Sequence, residues 1–295
     1  MDFSRRWQFC GTRIVATVLI LGAATVLTVM GEVMAQGDPS LEIVSPAAGE
    51  TITDPEIPVE INVENFALDC AKAGLPDEPD AGHIHVMVDG MSMAQLTNFY
   101  CDETFTVPGD GLTPGEHTLI IDLATHTHLD LMETAQEVTI DYQPANPVPL
   151  PEANDQGTPG VELVSPSDGA TVPPVFTVEV APVNFESSEG LEGKQNVPGY
   201  GHWHVFVDTT DPMALMEAAM AEMGTPEAAE GEMAHMAMPM PAMVAMPGTN
   251  SFELDLSAWG PGEHTIFIEP VQNDHTSFAE FEHIEFTVIV EEDGS

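Results

Sequence analysis

Apolar and polar positions alternate along two short stretches of the chain that copy each other. The first stretch runs from Gly82 to Asp89 and the second from Gly201 to Asp208, and both read Gly-His-x-His followed by apolar residues and Asp. Apolar residues at every second position predict a β-strand with one buried face. The two histidines of each stretch share the opposite face. They form either half of a metal site or a pair of histidines on a solvated sheet.

The same order of short β-patterned segments surrounds both stretches, which indicates one domain present twice. Each copy opens on a Val-Ser-Pro segment, and each later has a Pro-Gly-Glu turn that leads into a further apolar strand. About seven short strands per copy, separated by Pro and Gly turns, predict an all-β chain of two tandem immunoglobulin-like β-sandwiches. The predicted parts are repeat one (36–143), a Pro-rich extended linker (144–160) and repeat two (161–292, with an insert at 211–247).

Residues 1–35 have the pattern of a secretory signal peptide. Arg5, Arg6 and Arg13 precede an apolar run from Ile14 to Met30, and a small-residue cleavage site ends at Ala35. The arginine pair leaves twin-arginine export open. The sequence therefore predicts a secreted, periplasmic or cell-surface protein. If the leader stays uncleaved, its apolar run is just long enough to anchor the chain in a membrane.

The charge balance excludes two classes of partner. The formal net charge is −44, and only Lys72 and Lys194 among the five basic residues lie beyond the leader. A nucleic-acid partner needs basic residues to neutralise its phosphates, and an anionic membrane surface attracts basic segments for the same reason. We therefore expect neither. So acidic a surface favours solubility.

Two cysteines, Cys70 and Cys101, follow the leader. In an oxidising compartment such a pair is expected to form a disulfide. Both lie in repeat one, and repeat two has no cysteine, so the predicted bridge is a local one.

Two motifs resemble known bacterial domains. The opening V-x-L-x-S-P-x-D-G-A-T-V (Val161–Val172) and the P-G-E-H-T turn are similar to immunoglobulin-like domains of secreted and surface proteins. The Gly-His-x-His strand joined to that turn also resembles an uncharacterised family of small secreted domains. That family often has a third histidine between the two, where this chain has Ile84 and Trp203. The resemblance covers most of both repeats and implies the sandwich fold, but sandwich domains host many unrelated activities.

Eight of the eleven histidines recur in register between the repeats. Nitrogen-rich sets of this kind suit Cu(II), Zn(II) or Ni(II), and nearby aspartates such as Asp89 with Asp130, or Asp208 with Asp274, are candidates for orienting an imidazole. His126 adds a donor in repeat one only. The predicted metal ligands are His83, His85 and His128 in repeat one and His202, His204 and His275 in repeat two. The alternative is that they are exposed or hydrogen-bonded sheet residues.

The histidine of each Pro-Gly-Glu-His-Thr turn has a different expectation. His117 and His264 stand at a strand start, where a histidine of an immunoglobulin-like domain typically bonds to backbone. We therefore predict a structural role for both.

The insert of repeat two is rich in methionine. Asp211-Pro212 is a favourable helix start, and Met213, Met216, Met220 and Met223 then recur on one helix face. Prolines make the later part extended and favour accessible sulfurs. Thioethers with a nearby histidine suit Cu(I), so the predicted ligands there are His235, Met236, Met238, Met240 and Met243. The alternatives are a helix that packs its methionines on the sandwich and an adaptable surface for a protein partner.

These observations favour a non-catalytic protein, because no serine or cysteine nucleophile motif is present. The first hypothesis is a secreted metal-binding protein, most of all one that binds or buffers copper, with zinc as another candidate ion. The alternative is a cell-surface or extracellular structural or adhesion module whose Met-rich insert contacts a protein partner. A third option is calcium bound by acidic loops such as Asp77–Asp80.

Overall fold

The computed structural model describes residues 37–223 and 239–292. The predicted signal peptide lies outside these residues, as do His235, Met236 and Met238 of the insert. The chain from Gly37 onward forms one compact unit. Within the described residues, no helix has the length and apolar character needed to cross a membrane.

In the part of the chain that the structure describes, each repeat has nine strands, which form a three-stranded and a six-stranded sheet. In repeat one they are Ser40–Ser45 (β1), Thr51–Ile52 (β2), Glu56–Glu64 (β3), Ala67–Leu68 (β4), Ala81–Val88 (β5), Leu96–Tyr100 (β6), Thr104–Pro108 (β7), Gly115–Thr125 (β8) and Asp130–Tyr142 (β9). In repeat two they are Gly160–Ser165 (β10), Ala170–Val172 (β11), Val175–Val183 (β12), Glu186–Ser187 (β13), Tyr200–Val207 (β14), Met243–Ala245 (β15), Ser251–Asp255 (β16), Gly262–Val271 (β17) and Ile284–Val290 (β18). Short 3-10 helices span Cys70–Lys72 and Met93–Gln95, and one α-helix, α1, spans Pro212–Met223.

The two repeats have the same topology. The small sheets have the orders β1-β3-β7 and β10-β12-β16. The large sheets have the orders β2-β9-β8-β5-β4 and β11-β18-β17-β14-β13, with β6 on β5 and β15 on β14. In each repeat the small sheet packs on the large one, so the predicted tandem immunoglobulin-like sandwiches are confirmed.

Each sandwich has its own apolar core. Ile84 and Val86 of β5 lie in the core of repeat one, and Trp203 and Val205 of β14 lie in that of repeat two. These residues are fully buried, as the period of two predicted. The predicted disulfide between Cys70 and Cys101 is also present.

The histidine faces of β5 and β14 are buried as well. A third apolar cluster, here called the Met layer, covers them with residues from both repeats: Met87, Leu96, Ile120, Phe206, Met216, Met240, Met243, Met246 and Phe267. Both faces of the two large sheets are therefore covered at β5 and β14. The alternative of histidines on a solvated sheet is wrong, because the two copies bury these faces against each other.

The insert differs in part from its prediction. Helix α1 begins where expected, and the Asp211 carboxylate accepts a hydrogen bond from the amide of Ala214 at 3.0 Å. Met216 is buried in the Met layer, but Met213 and Met220 are 55% and 45% exposed. The described methionines of the helix therefore do not pack as one continuous face.

The later part of the insert also departs from the expectation. Met240 and Met243 are 6% and 0% exposed, so the predicted accessible sulfurs are wrong for these two residues. The physical reason is strand pairing. Strand β15, which begins at Met243, pairs with β14, and the amide of Met240 donates to the carbonyl of Thr127 at 2.7 Å. Both side chains lie in the Met layer.

The linker is bonded to both repeats. The amide of Gly111 donates to the carbonyl of Val148 at 2.9 Å, and the amide of Asn154 donates to the carbonyl of Pro198 at 2.8 Å. The chain between β9 and β10 is therefore held along its length.

Candidate metal centre

The first two histidines of each site project from the outer face of a central strand. His83 and His85 lie two residues apart on β5, and His202 and His204 lie two apart on β14. The preceding glycine permits close approach of the neighbouring strand. A Cβ at Gly82 would collide with the backbone of the strand β8 beside it, and the glycine that begins the β14 motif is in the same position.

The third histidine comes from a tight turn in each repeat. The amide of His128 bonds to the carbonyl of Thr125 at 3.0 Å, and that of His275 bonds to the carbonyl of Gln272 at 2.9 Å. Both histidines have a left-handed backbone, with φ of 64° and 63°. This conformation is uncommon in residues other than glycine. Its presence in both repeats indicates that the turn is shaped to direct an imidazole at the strand.

Triad one consists of His83, His85 and His128. The Nε2 atom of His83 lies 3.0 Å from Nε2 of His85 and 2.9 Å from Nδ1 of His128. The Nε2 atom of His85 lies 3.4 Å from Nδ1 of His128. One nitrogen from each ring therefore points at a common spot, as the sequence predicted for these residues.

Triad two consists of His202, His204 and His275 and repeats the arrangement. The Nδ1 atom of His275 lies 3.0 Å from Nε2 of His202 and 3.1 Å from Nε2 of His204. In each triad the three candidate donor atoms lie within 4.8 Å of one another. The same ring atoms converge in both repeats.

The opposite ring nitrogens of several triad members have fixed partners. Nε2 of His128 donates to the carbonyl oxygen of Met243 at 3.0 Å, and Nε2 of His275 donates to that of Leu96 at 2.7 Å. A neutral imidazole carries one proton, so the Nδ1 atoms of these two rings keep a free lone pair. Nδ1 of His85 bonds Asp130 at 2.6 Å, which likewise leaves its Nε2 as an acceptor.

Burial lowers the pKa of five triad histidines and so favours their neutral form. Desolvation, aided by the neighbouring imidazoles, lowers the pKa of His128 to about 3 and that of His275 to about 4, although a backbone carbonyl partly opposes each shift. The pKa values of His83, His202 and His204 fall well below the usual range for the same reason. Neutral imidazoles are the form that binds metal ions.

Buried carboxylates stand beside both triads, and sequence reasoning missed them. Asp122 of β8 pairs with His85, and Glu269 of β17 pairs with His204. Asp122 is fully buried, and neither of its oxygens has a hydrogen-bond partner among the residues that the structure describes. Burial, with the nearby charge of Asp130, raises the pKa of Asp122 to about 9, and burial raises that of Glu269 to about 7. The sequence did contain a signal for these two residues, because each is an acidic residue within an otherwise apolar stretch of its strand.

Other candidate residues lie away from the triads. His117 bonds the Asp89 carboxylate at 2.6 Å and the Thr113 carbonyl at 2.7 Å. His264 makes the equivalent bonds to Asp208 and to the carbonyl of Gly260, at 2.9 and 3.0 Å. Asp89 and Asp208 therefore orient the strand-start histidines, and of the four aspartates considered from the sequence only Asp130 orients a triad member.

Three other features considered from the sequence also lie outside the triads: His126, Asp274 and the acidic loop Asp77–Asp80. His126 is fully buried, and neither ring nitrogen has a partner in the described chain, but it belongs to no group of converging donors found there. Asp274 accepts bonds from Thr276. In the acidic loop proposed for calcium, Asp77 accepts bonds from Thr127, and Glu78 pairs with Lys72 at 2.9 Å. No converging donor group lies in that loop among the described residues.

Comparisons with known proteins find only distant structural similarity. No family model and no curated protein matches the chain. Similar solved structures include fibronectin(III)-like modules of Clostridium thermocellum CbhA (11% identity, 85% of this chain and 94% of that one, TM-score 0.25). A second is the three N-terminal domains of the bacteriophage RB49 outer capsid protein Hoc (7% identity, 87% of this chain and 71% of that one, TM-score 0.22). A third is a tetra-tandem repeat of a large adhesion protein (9% identity, 87% of this chain and 49% of that one, TM-score 0.21). TM-scores this low carry no argument about fold or function, and the resemblance to an uncharacterised secreted family stays a prediction.

Proposed function

We propose that this protein is an exported, non-catalytic metal-binding protein that holds one transition-metal ion in each histidine triad. Copper is the first candidate and zinc the second. The observation that carries the proposal is the convergence of three imidazole nitrogens in both repeats.

The spacing of these nitrogens supports coordination of one ion. Two ligand nitrogens at the ~2.0–2.1 Å bond length of a tetrahedral zinc site lie roughly 3.3 Å apart. The measured separations in triad one are 2.9 to 3.4 Å. Those in triad two are 3.0 and 3.1 Å. Each trio of nitrogens therefore has about the size of one face of a coordination tetrahedron.

The tautomers support it independently. Nε2 of His85 and Nδ1 of His128 are both acceptors, because the other nitrogen of each ring holds its proton against Asp130 or Met243. Two lone pairs facing each other at 3.4 Å repel, and a cation between them removes the repulsion. Carboxylate and carbonyl partners of this kind are typical of metal-bound histidines.

Burial supports a binding role over a catalytic one. His83, His85, His128, His202 and His204 are at most 4% exposed. The Met layer covers the outer faces of both strands. A bound ion would have little access to a substrate, whereas a closed site suits retention of the ion.

The test is metal analysis of the folded chain and of two matched variants. We expect wild type to retain two equivalents of transition metal in total, and His128→Asn and His275→Asn to lose one each. Asparagine tolerates the left-handed backbone at both turns, so neither substitution strains the backbone. Failure of wild type to hold either metal tighter than micromolar would overturn the proposal.

A second candidate function rests on helix α1. Met213, Leu215 and Met220 are 55%, 36% and 45% exposed, which leaves apolar side chains on the surface of an acidic protein. Adaptable methionines suit a protein-partner contact in an adhesion or structural module. Replacing Met213 and Met220 by Gln should abolish attachment of this protein to its protein partner on the cell surface, while the number of bound metal ions stays unchanged. Unchanged attachment would contradict this function.

A further inference from the structure

We infer that the two triads take different ions: triad two holds Cu(I) with Met246 as a fourth donor, and triad one holds a divalent ion. This inference rests on the proposed metal-binding function. It comes from two differences between otherwise matched sites, one in the neighbouring strand and one in the buried charge.

The position of Met246 follows from the pairing of β14 with the insert. Val205 pairs with Ala245, and the amide of Trp203 donates to the carbonyl of Pro247 at 3.1 Å. Continuing this register places Met246 opposite His204. Side chains that oppose each other in an antiparallel pair lie on the same face, with Cβ atoms about 4.5–5.5 Å apart.

Repeat one shows what this position contacts. There, Phe99 pairs with His85. Its ring centroid lies 4.8 Å from that of His83 and 5.1 Å from that of His128. The position occupied by Met246 in repeat two is therefore the one that packs on the triad.

The chemistry of the two side chains differs sharply. Met246 is 2% exposed, within the Met layer. A thioether beside three imidazoles in a water-excluded site is a donor set that favours Cu(I) over the harder divalent ions. Phe99 has no donor atom, so triad one offers nitrogen alone on that side.

The acidic residues beside the two triads also differ, and this difference favours a divalent ion in triad one. Triad one has two carboxylates beside it, Asp122 and Asp130. In triad two, Glu269 occupies the position that matches Asp122. Ser277 occupies the position that matches Asp130, because it forms a bridge with Val271 just as Asp130 pairs with Ala124.

A buried ion needs nearby opposite charge. A bound cation would draw the proton from Asp122, which then adds its charge to that of Asp130 beside His85. Triad two has Glu269 and Asp274, but Asp274 is partly exposed and bonds Thr276. Triad one therefore offers more buried negative charge to a divalent ion.

The experiment uses the full chain with copper and zinc in turn. Anaerobic Cu(I) titration against a colorimetric chelator is run on wild type, on Met246→Leu and on Met216→Leu as the matched control. Both substitutions conserve volume in the same layer. We expect Met246→Leu to weaken one Cu(I) site by about tenfold or more, in the range seen when groups that support a metal site are removed. Met216→Leu should leave that site unchanged.

X-ray absorption of the wild-type Cu(I) form gives a readout that does not depend on any variant. We expect a sulfur scatterer in wild type that is absent in Met246→Leu. Equal Cu(I) binding by Met246→Leu and Met216→Leu, or absence of sulfur scattering, overturns the inference. If neither triad holds an ion, the proposed function fails instead, so the two failures are distinct.

A separate pair of variants tests the difference in buried charge between the two triads. Asp122→Asn should weaken zinc binding at triad one and leave Cu(I) binding unchanged. Glu269→Gln should weaken Cu(I) binding at triad two and leave zinc binding unchanged. If both substitutions act on the same ion, the assignment of different ions is wrong.

Discussion

The His128 imidazole of repeat one donates a hydrogen bond from Nε2 to the backbone carbonyl of Met243 in repeat two, at 3.0 Å. The reciprocal bond runs from His275 to the carbonyl of Leu96 in repeat one, at 2.7 Å. The third member of each triad is thus held by the other repeat. An ion bound to Nδ1 of either ring would fix the proton on Nε2 and strengthen this exchange.

Metal loading is therefore expected to stabilise the whole described unit. A ligand present at 100 times its Kd adds about 2.7 kcal/mol per site to the free energy of unfolding. Thermal unfolding with and without zinc or copper measures the effect. The His128→Asn/His275→Asn double variant is the control. An equal rise in its Tm would show that the ions act through the acidic surface instead.

Asp130 is expected to support triad one through His85. Replacing Asp130 by Asn removes the charge that accepts the His85 Nδ1 proton, and loss of such a partner typically costs 10–100-fold in metal affinity. Zinc competition with a chelator, in a His275→Asn background, measures triad one alone. Ser277→Ala, at the matching position of repeat two, should leave wild-type affinity unchanged. Equal affinity of the Asp130 variant and its parent would contradict this role.

His117 and His264 are expected to stabilise the fold without binding metal. Each links an aspartate to a backbone carbonyl, and leaving such partners unsatisfied costs about 1–3 kcal/mol. We expect His117→Ala and His264→Ala each to lower the free energy of unfolding by this amount, measured by urea denaturation. Metal content should stay at the wild-type value, and loss of an ion from either variant would make the substituted residue a ligand.

The buried methionines are expected to carry packing energy that the exposed ones lack. Met243 is fully buried, and Met243→Ala should cost about 2–5 kcal/mol through lost contacts and a cavity. Met213 is 55% exposed, and Met213→Ala should change stability by less than about 0.5 kcal/mol. Chemical denaturation of the two variants measures the difference. Similar costs would mean that the Met layer is loosely packed.

The disulfide is expected to stabilise repeat one. Cys70 and Cys101 are 31 residues apart, and closing a loop of this length stabilises the folded state by about 3–4 kcal/mol in the chain-entropy model. We expect the Cys70→Ser/Cys101→Ser variant to unfold at a lower temperature than wild type under oxidising conditions. Reductant should lower the Tm of wild type but not that of the variant. A wild-type Tm insensitive to reductant would contradict this prediction.

Local patterns were sufficient to predict the sandwiches. Alternation along Ile84, Val86 and Val88 identified β5 and its core face, because side chains of a strand alternate between faces with a period of two. The same period placed His83 and His85 together on the other face. Recurrence of the motif in repeat two predicted a second, equivalent sheet. The start of helix α1 was predictable from Asp211 and Pro212, because helix capping depends on a few adjacent residues.

What lies against the histidine face was decided only by the tertiary structure. Burial of that face depends on the Met layer, which joins residues such as Met87 and Met243 from different repeats. The bonds from His128 and His275 to carbonyls of the opposite repeat likewise join residues far apart in sequence. A strand's own pattern determines which side chains share a face, because that depends only on the backbone repeat. Which surface covers the face depends on how two separate sheets pack, and no local periodicity records it.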